Sequence, residues 1–137
     1  RVNKIREVMP HACIGVDVIV GFPGETEEQF LETYNFLNEM DISYLHVFTY
    51  SERDNTYALT LKPVVPMTIR NERNKQLRNL SYQKMQYFTA QHIGQSRKVL
   101  FEKAPKGNLM EGYTDNYIKI QIPYKGELAN NVVEWGI

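Results

Sequence analysis

The stretch that most constrains the fold is residues 16–29, VDVIVGFPGETEEQ. Its apolar first part predicts a buried strand, residues 21–24 predict a tight turn, and residues 26–29 match the capping box that begins a helix. Strand, turn and helix in this order are typical of parallel α/β sheets, in which ligands bind beyond the carboxyl ends of the strands. The stretch is therefore a candidate for one edge of a ligand site, although a Gly-Pro-Gly turn alone is also typical of a purely structural turn.

The same alternation continues on both sides of this stretch. Apolar spacing and helix-ending residues predict a helix, a strand, a helix and a strand, at residues 1–9, 12–20, 27–40 and 44–48. This order is typical of a parallel sheet with crossover helices. Two strands are too few for a stable parallel sheet, so we expect either a second copy or upstream sequence to complete it. The helix at residues 27–40 is expected to bury Phe30, Leu31, Tyr34, Leu37 and Met40.

The second half of the chain predicts a different architecture. A polar loop at residues 49–62 is followed by a long helix from residue 67 to about residue 92. Short alternating runs then predict strands at residues 97–102, 109–113, 117–122 and 132–137, with turns at residues 105–108 and 114–116. Short strands at this spacing are typical of a small closed or nearly closed barrel. The predicted fold class is therefore α/β, with an α/β part at residues 1–66, a linking helix at residues 67–94 and a small all-β domain at residues 95–137.

Charge is unevenly distributed along the chain, although its 16 basic and 16 acidic residues cancel. Residues 1–62 carry 10 acidic and 5 basic side chains, whereas residues 63–92 carry 1 acidic and 5 basic side chains. The basic segment would meet any polyanionic partner, or it is an ordinary solvated helix face.

The cysteine content and the first residues of the chain limit the class of protein to which it can belong. Cys13 is the one cysteine, so the chain builds neither a disulfide framework nor a cysteine-ligated cluster, and a reduced cytoplasmic setting fits. No apolar run approaches the roughly 20 residues of a membrane span, and no signal-peptide pattern is evident. The chain opens on Arg1, without an initiator methionine and in what reads as the middle of a helix, which predicts a fragment of a longer protein.

Several single residues admit two interpretations. Asp17 lies inside an apolar strand, where a buried carboxylate is costly, so it is expected either to face the interior of a barrel or to pair with a basic residue. His46 lies mid-strand, which is more typical of a structural histidine than of a catalytic one, and the three histidines show no metal-ligand spacing with Cys13. Lys98 and Lys119 alternate with tyrosines at positions 113, 117 and 124, a pattern that suits nucleic acid but also a plain β-domain.

Longer stretches resemble a known enzyme family. The sequence VDVIVGFPGETEEQF, followed by YLHVFTYSERDNTYA, resembles the C-terminal half of the radical S-adenosylmethionine (SAM) methylthiotransferases. The later stretch VLFEKAPKGNLMEGYTDNYIKIQIP resembles the TRAM domain, an OB-like barrel that ends those enzymes. The motifs HVF-x-YS-x-R and EGYT-x-NY are most similar to the branch that modifies N6-threonylcarbamoyladenosine at position 37 of tRNA. The branches that act on isopentenyladenosine or on a ribosomal protein match less well.

The resemblance implies domains and site residues. Residues 1–66 would be the C-terminal part of a partial radical SAM (β/α) barrel, and residues 95–137 would be a TRAM RNA-binding domain. Ile19 and Gly21 match a late barrel strand that helps to hold SAM. By the resemblance, the next strand would offer backbone and apolar contacts to adenine, and its matched residues are Val47, Phe48 and Tyr50. The candidate tRNA contacts are Lys98, Tyr113, Asn116 and Lys119. The family usually has a glycine in the loop that follows the arginine of this motif. This chain has Asn55 there, and asparagine tolerates a left-handed conformation.

By this resemblance the parent enzyme would use SAM and two 4Fe–4S clusters to methylthiolate C2 of the modified adenosine, with tRNA as its partner. This chain lacks the CxxxCxxC motif of the radical SAM cluster and the N-terminal domain of the second cluster. No catalytic or metal-binding residue is therefore assigned, and the fragment is expected to be inactive alone. Two other interpretations are a stand-alone RNA-binding module on an α/β platform and a scaffold piece whose dimer completes the sheet.

Overall fold

The computed structural model describes residues 1–102 and 107–137. These residues form two compact units, unit 1 at residues 1–10 and 14–86 and unit 2 at residues 11–13 and 87–137. The elements in chain order are α1 (Val2–Val8), β1 (Gly15–Val20), α2 (Glu27–Glu39), β2 (Tyr44–Thr49), a 3₁₀ turn (Tyr57–Thr60), α3 (Met67–Ala90), β3 (Ser96–Phe101), β4 (Leu109–Thr114), β5 (Lys119–Pro123), a second 3₁₀ turn (Gly126–Leu128) and β6 (Val132–Gly136). This mixture of helices and sheets confirms the α/β class, while the domain boundaries stay a prediction. Within the described ranges, no helix combines the length and the apolar character that crossing a membrane requires.

Unit 1 is built on the predicted strand–turn–helix stretch. β1 and β2 pair in parallel over six residues each, and α2 connects them. The capping box at the start of α2 is confirmed, because the Gln29 N–H donates to the Thr26 hydroxyl at 3.2 Å and the Thr26 N–H donates to the Gln29 side chain at 3.0 Å. The parallel pair and the capped helix together fix where the turn between them lies.

The two-stranded sheet of unit 1 exposes one of its faces. Val20 is fully buried, whereas Ile19 is 59% exposed and Phe48, its register partner in β2, is 52% exposed. Asp17 and His46 are register partners on the same exposed face. Strand alternation thus places Asp17 on the same exposed face as Ile19, where water solvates its carboxylate, and the expectation that this face lines the interior of a barrel stays a prediction.

Helix α2 buries a narrower face than the sequence predicts. Phe30 and Leu37 are buried and Tyr34 is partly buried, all on one side of the helix. Leu31 is 46% exposed, so its predicted burial is wrong. The reason is geometric: each residue advances about 100° around a helix, and Leu31 therefore points away from the side that Phe30 buries.

Helix α3 covers the outer edge of β2. The Leu45 N–H donates to the Ser81 hydroxyl at 2.8 Å, and that hydroxyl donates to the Leu45 carbonyl at 3.0 Å. The Asn74 amide donates to the Val47 carbonyl at 3.4 Å and to the Thr49 hydroxyl at 3.0 Å. Helix side chains thus satisfy backbone groups that an edge strand otherwise offers to another strand.

Unit 2 contains the predicted small β-structure. Its four strands form one antiparallel sheet in the order β5-β4-β3-β6. Val99, Phe101 and Met110 form its fully buried centre, and Trp135 meets Phe101 edge to face with ring centroids 5.3 Å apart. Among the residues that the structure describes, β5 and β6 are the edges, so backbone pairing there does not close the sheet into a barrel. Residues 105 and 106 of the turn predicted at residues 105–108 lie outside the described residues.

Candidate functional site

The candidate site in unit 1 is the edge at which β1 and β2 end. Because the strands are parallel, Gly21 and Tyr50 leave the sheet at the same edge, and the Tyr50 N–H donates to the Val20 carbonyl at 2.8 Å. Gly21 has a positive φ of 77°, and its N–H donates to the Glu25 carboxylate at 2.7 Å. The rings of Phe22 and Tyr50 meet edge to face, with centroids 5.3 Å apart. Specific contacts therefore hold both loops at this edge.

Arg70, in the first turn of α3, holds the loop after β2. It is 2% exposed, and its Nε donates to the Val65 carbonyl at 2.7 Å while Nη1 donates to the Tyr50 carbonyl at 3.0 Å. The guanidinium also donates to both carboxylate oxygens of Glu52, at 2.7 and 3.2 Å. These hydrogen bonds from Arg70 hold the pKa of the Glu52 carboxyl below its usual value of 4.5. A two-pronged pair of this kind fixes the direction of both groups as well as their distance.

Arg73, one turn further along α3, holds the turn after β1. Its Nη1 donates to a Glu25 carboxylate oxygen at 2.6 Å and to the Glu25 carbonyl at 3.1 Å, and its Nη2 donates to Glu27 at 3.0 Å. The same Glu25 oxygen accepts the Gly21 N–H. The guanidinium also lies over the Phe30 ring, 5.3 Å from its centroid. Two buried arginines of α3 therefore order both loops at the ends of the strands.

The burial of Arg70 and Arg73 was not predicted from the sequence, because the helical pattern assigns all basic residues of α3 to a solvated or polyanion-binding face. Three of the five basic side chains in residues 63–92 instead make contacts within unit 1: Arg70, Arg73 and Lys84. The Lys84 ammonium donates to the Asn38 and Met40 carbonyls at 3.0 and 2.8 Å, and desolvation by burial lowers its pKa. The available signal was the opposite charge of residues 1–62 and 63–92, since part of the acidic excess meets the basic excess inside unit 1.

The five predicted cofactor residues fall into different places. Ile19 and Phe48 lie side by side on the exposed face of the sheet. Gly21 and Tyr50 lie at the strand ends, and the buried Tyr50 hydroxyl has no hydrogen-bond partner among the described residues. The side chain of Val47 lies on the opposite face of the sheet from that of Phe48, because neighbouring residues of a strand point to opposite faces.

In unit 2 an aromatic cleft lies on the outer face of the sheet. It is defined by the side chains that line a cavity of about 460 Å³: Lys98, Leu100, Tyr113, Tyr117 and Val132, together with Thr114 and Asp115. Tyr117 is 71% exposed and has a positive φ of 64°. Of the four predicted tRNA contacts, Lys98 and Tyr113 therefore lie together.

The other two predicted tRNA contacts have partners within unit 2. The Lys119 ammonium lies 2.8 Å from the Glu111 carboxylate, and this hydrogen bond raises the pKa of Lys119. Asn116 is buried, and its amide nitrogen donates to the His11 carbonyl at 3.1 Å and lies 3.2 Å from Nε2 of His92. Asn116 thus has partners within unit 2, and its contact with tRNA stays a prediction.

Two further expectations concern the loop after β2 and metal binding. Asn55 has a φ of 63°, which confirms the left-handed conformation that asparagine tolerates. In the described part of the chain, no three His, Cys, Asp or Glu side chains form a group that could hold a metal ion.

Comparison with known proteins relates the chain to tRNA-modifying enzymes. No family model matches it. The threonylcarbamoyladenosine tRNA methylthiotransferase MtaB of Bacillus subtilis is 38% identical over 138 residues, which cover 98% of this chain and 31% of that protein. MtaB of Aquifex aeolicus is 44% identical over 120 residues, covering 88% of this chain and 28% of that protein. The tRNA-2-methylthio-N(6)-dimethylallyladenosine synthase of Bacillus pumilus is 35% identical over 135 residues, covering 97% of this chain and 27% of that protein.

These matches extend over both units but over a limited part of each relative. The chain spans about a third of the length of the relatives it matches, between 27% and 31% in these three cases. The relatives share one kind of activity in their names, the methylthiolation of a modified adenosine in tRNA. The chain is therefore a homologue of the radical SAM methylthiotransferases, and it matches a C-terminal fragment of these enzymes.

Proposed function

We propose that the chain is the C-terminal part of an enzyme that methylthiolates C2 of N6-threonylcarbamoyladenosine at position 37 of tRNA, in the cytoplasm. The observation that carries the proposal is the similarity to MtaB proteins, which are 38–44% identical over 88–98% of the chain. The dimethylallyladenosine synthases that we compared are 35–39% identical over 82–97% of it. The motifs HVF-x-YS-x-R and EGYT-x-NY support the same branch.

In this proposal unit 1 forms part of the wall of a SAM site. The exposed pair Ile19 and Phe48 offers an apolar surface, and the buried Tyr50 hydroxyl lacks a partner among the described residues. These residues fit a ligand that carries both an apolar ring and polar groups. Ile19 and Phe48 would hold SAM by apolar contact, while the backbone at Gly21 and Tyr50 would shape the edge of the site. When bound, SAM supplies the methyl group and the radical chemistry of the reaction.

The two 4Fe–4S clusters of the family do not fit the residues of this chain. Such clusters are held by several cysteine thiolates, and Cys13 is the one cysteine here. The described residues also contain no group of three metal-ligating side chains. The cluster ligands would come from sequence outside this chain, so we assign no step to them and expect the chain alone to be inactive.

Unit 2 would correspond to the TRAM domain and contact tRNA through the aromatic cleft. The charges on this face of the sheet are nearly balanced, because Lys98 lies opposite Glu134 in register and Lys119 pairs with Glu111. The exposed tyrosines of the cleft, Tyr113 among them, offer flat apolar surfaces. We therefore expect the cleft to bind an unpaired base by stacking more than by attraction to phosphate.

Replacing Tyr113 with alanine is expected to weaken tRNA binding about tenfold, because a base stacked on an aromatic side chain contributes about 1–3 kcal/mol. Fluorescence anisotropy of a labelled anticodon stem-loop, titrated with the full chain, measures the change. Tyr87→Ala is the matched control, since Tyr87 is an exposed tyrosine of unit 2 outside the aromatic cleft. Equal affinities of the two variants would contradict the assignment of the cleft to tRNA.

A chimera tests the proposed substrate. The chain replaces the matching segment of Bacillus subtilis MtaB in cells that lack both this enzyme and the dimethylallyladenosine synthase of the same organism, and mass spectrometry of tRNA nucleosides detects the products. We expect methylthiolated threonylcarbamoyladenosine and no methylthiolated dimethylallyladenosine. The opposite product would assign the chain to the other branch, and the absence of both products from a soluble chimera would reject the proposed function.

The variant Ile19→Asp in the same chimera tests the SAM wall. We expect the modification level to fall about tenfold, because a carboxylate would replace an apolar contact to the cofactor and lose its hydration there. Leu31→Asp is the matched control, since Leu31 is also an exposed apolar residue of unit 1 but lies on α2. If both variants lower the modification equally, Ile19 has no special role at the cofactor.

A further inference from the structure

A groove lined by both polar and apolar side chains runs along α3 in unit 1, at the outer edge of β2. It consists of two cavities of about 690 and 400 Å³, which share Asn74 and Arg78. We call it the α3 groove and define it by its lining residues on α3: Asn71, Asn74, Lys75, Arg78, Asn79, Ser81, Tyr82 and Met85. These α3 residues lie outside the candidate SAM wall and the aromatic cleft, whereas residues 44–49 of β2, Phe48 of the SAM wall among them, line the other side of the larger cavity.

The two cations of the α3 groove are available to a ligand. Lys75 and Arg78 are exposed and form no ion pair with any residue in the described ranges, whereas Arg70 and Arg73 are buried in ion pairs. No acidic side chain lines either cavity. The basic excess of residues 63–92 therefore reaches the surface of unit 1 at Lys75 and Arg78.

The spacing along the α3 groove suits an extended polyanion. Asn71, Lys75, Arg78 and Tyr82 follow one another at intervals of four, three and four residues, so they share one face of the helix. At about 1.5 Å per residue this face extends about 16 Å, enough to meet successive phosphates of one strand. The Asn74 amide is already bonded to β2, but the ammonium, the guanidinium and the Asn71 amide can donate to phosphate oxygens.

We propose that the α3 groove binds the phosphate backbone of single-stranded RNA, as a contact separate from the aromatic cleft of unit 2. The proposal rests on the proposed function, which makes RNA the polyanion that this chain meets. Tyr82 is 65% exposed and lines the larger cavity together with Arg78, and a basic groove with an exposed aromatic ring is the arrangement by which proteins hold single strands. An acidic peptide would use the cations but not the ring.

The double variant Lys75→Ala/Arg78→Ala tests the proposal. Its probe is a fluorescein-labelled oligouridylate of about 12 nucleotides, whose affinity for the full chain is measured over a range of salt concentrations. We expect the affinity at low salt to fall about tenfold and the slope of log K against log salt to become shallower by about 1.4, since each single-strand phosphate contact contributes about 0.7. Lys4→Ala/Lys62→Ala removes two exposed cations of unit 1 outside the groove, and we expect it to leave the slope unchanged.

Each outcome of this test decides a separate point. An unchanged affinity and slope in a groove variant that melts like the wild type would overturn the proposal. A polyglutamate competitor that displaces the probe as well as unlabelled RNA does would assign the groove to acidic peptides instead. Weaker binding by Tyr113→Ala with normal binding by the groove variant would reject the groove and keep the proposed function, whereas a wild-type chain that binds no RNA at low salt would reject both.

Discussion

Replacing Arg73 with methionine is expected to lower the free energy of unfolding of unit 1 by about 3–5 kcal/mol, the usual cost of removing one partner of a buried ion pair. The side chain of Arg73 is 5% exposed and that of Glu25 is 15% exposed. Without the guanidinium, the Glu25 carboxylate keeps the Gly21 N–H as a partner but is left as an unbalanced charge in a largely desolvated place. Urea unfolding followed by circular dichroism measures the loss.

The double variant Arg73→Met/Glu25→Gln is the control for this prediction. Glutamine keeps an oxygen that accepts the Gly21 N–H but carries no charge, so most of the lost stability is expected to return. If the single and double variants are equally unstable, the lost packing of Arg73 against Phe30, and not the buried charge, accounts for the effect. A single variant within about 0.5 kcal/mol of the wild type would show that Arg73 behaves as an ordinary surface residue.

Helices and strands were predictable because their signals are local. The capping box at Thr26 depends on residues three positions apart, and it located the start of α2 correctly. The strands of unit 2 are indicated by side-chain alternation over five or six residues. This alternation can be recognised in the sequence without knowledge of the rest of the fold. Barrel closure is different, because it depends on how distant strands meet.

The charged contacts of the candidate site were not predictable in this way. Arg73 meets Glu25 across 48 residues of sequence, and Arg70 meets Glu52 across 18. A helical period treats every arginine as polar, so it cannot tell a buried arginine with a fixed partner from an exposed one such as Arg78. Whether a charged side chain is buried depends on whether a partner from a distant part of the sequence packs against it, and a local pattern does not identify that partner.

The direction and the burial of the predicted site residues also depend on tertiary packing, which a local motif does not give. A matched motif names Val47 and Phe48 together, but their side chains point to opposite faces of the sheet, so a ligand on one face would meet one side chain and the backbone of the other residue. Asn116 also lies in a matched motif, yet its amide is buried against the His11 carbonyl, 105 residues away. Motif membership therefore locates a region of the fold, while the direction and the burial of each side chain come from the packing around it.

Gly21→Ala is expected to lower the free energy of unfolding of unit 1 by about 2–4 kcal/mol, because two costs add. Gly21 has a φ of 77°, a conformation that costs a residue with a Cβ about 1 kcal/mol or more. The added Cβ would also overlap Cγ of Arg70, and overpacking of this kind costs about 1–3 kcal/mol. Arg70 cannot shift freely, since its guanidinium is bonded to the carbonyls of Val65 and Tyr50 and to Glu52.

Gly24→Ala separates the two costs. Gly24 lies in the same turn with a φ of 90°, but an added Cβ there would meet one atom, the Lys62 carbonyl oxygen, at an ordinary 4.0 Å. We therefore expect this variant to lose about 1 kcal/mol, from backbone strain alone. The difference between the two variants in urea unfolding measures how firmly Arg70 is held against the turn after β1. Equal losses would show that Arg70 moves aside at little cost, and α3 would then not fix this edge of the sheet.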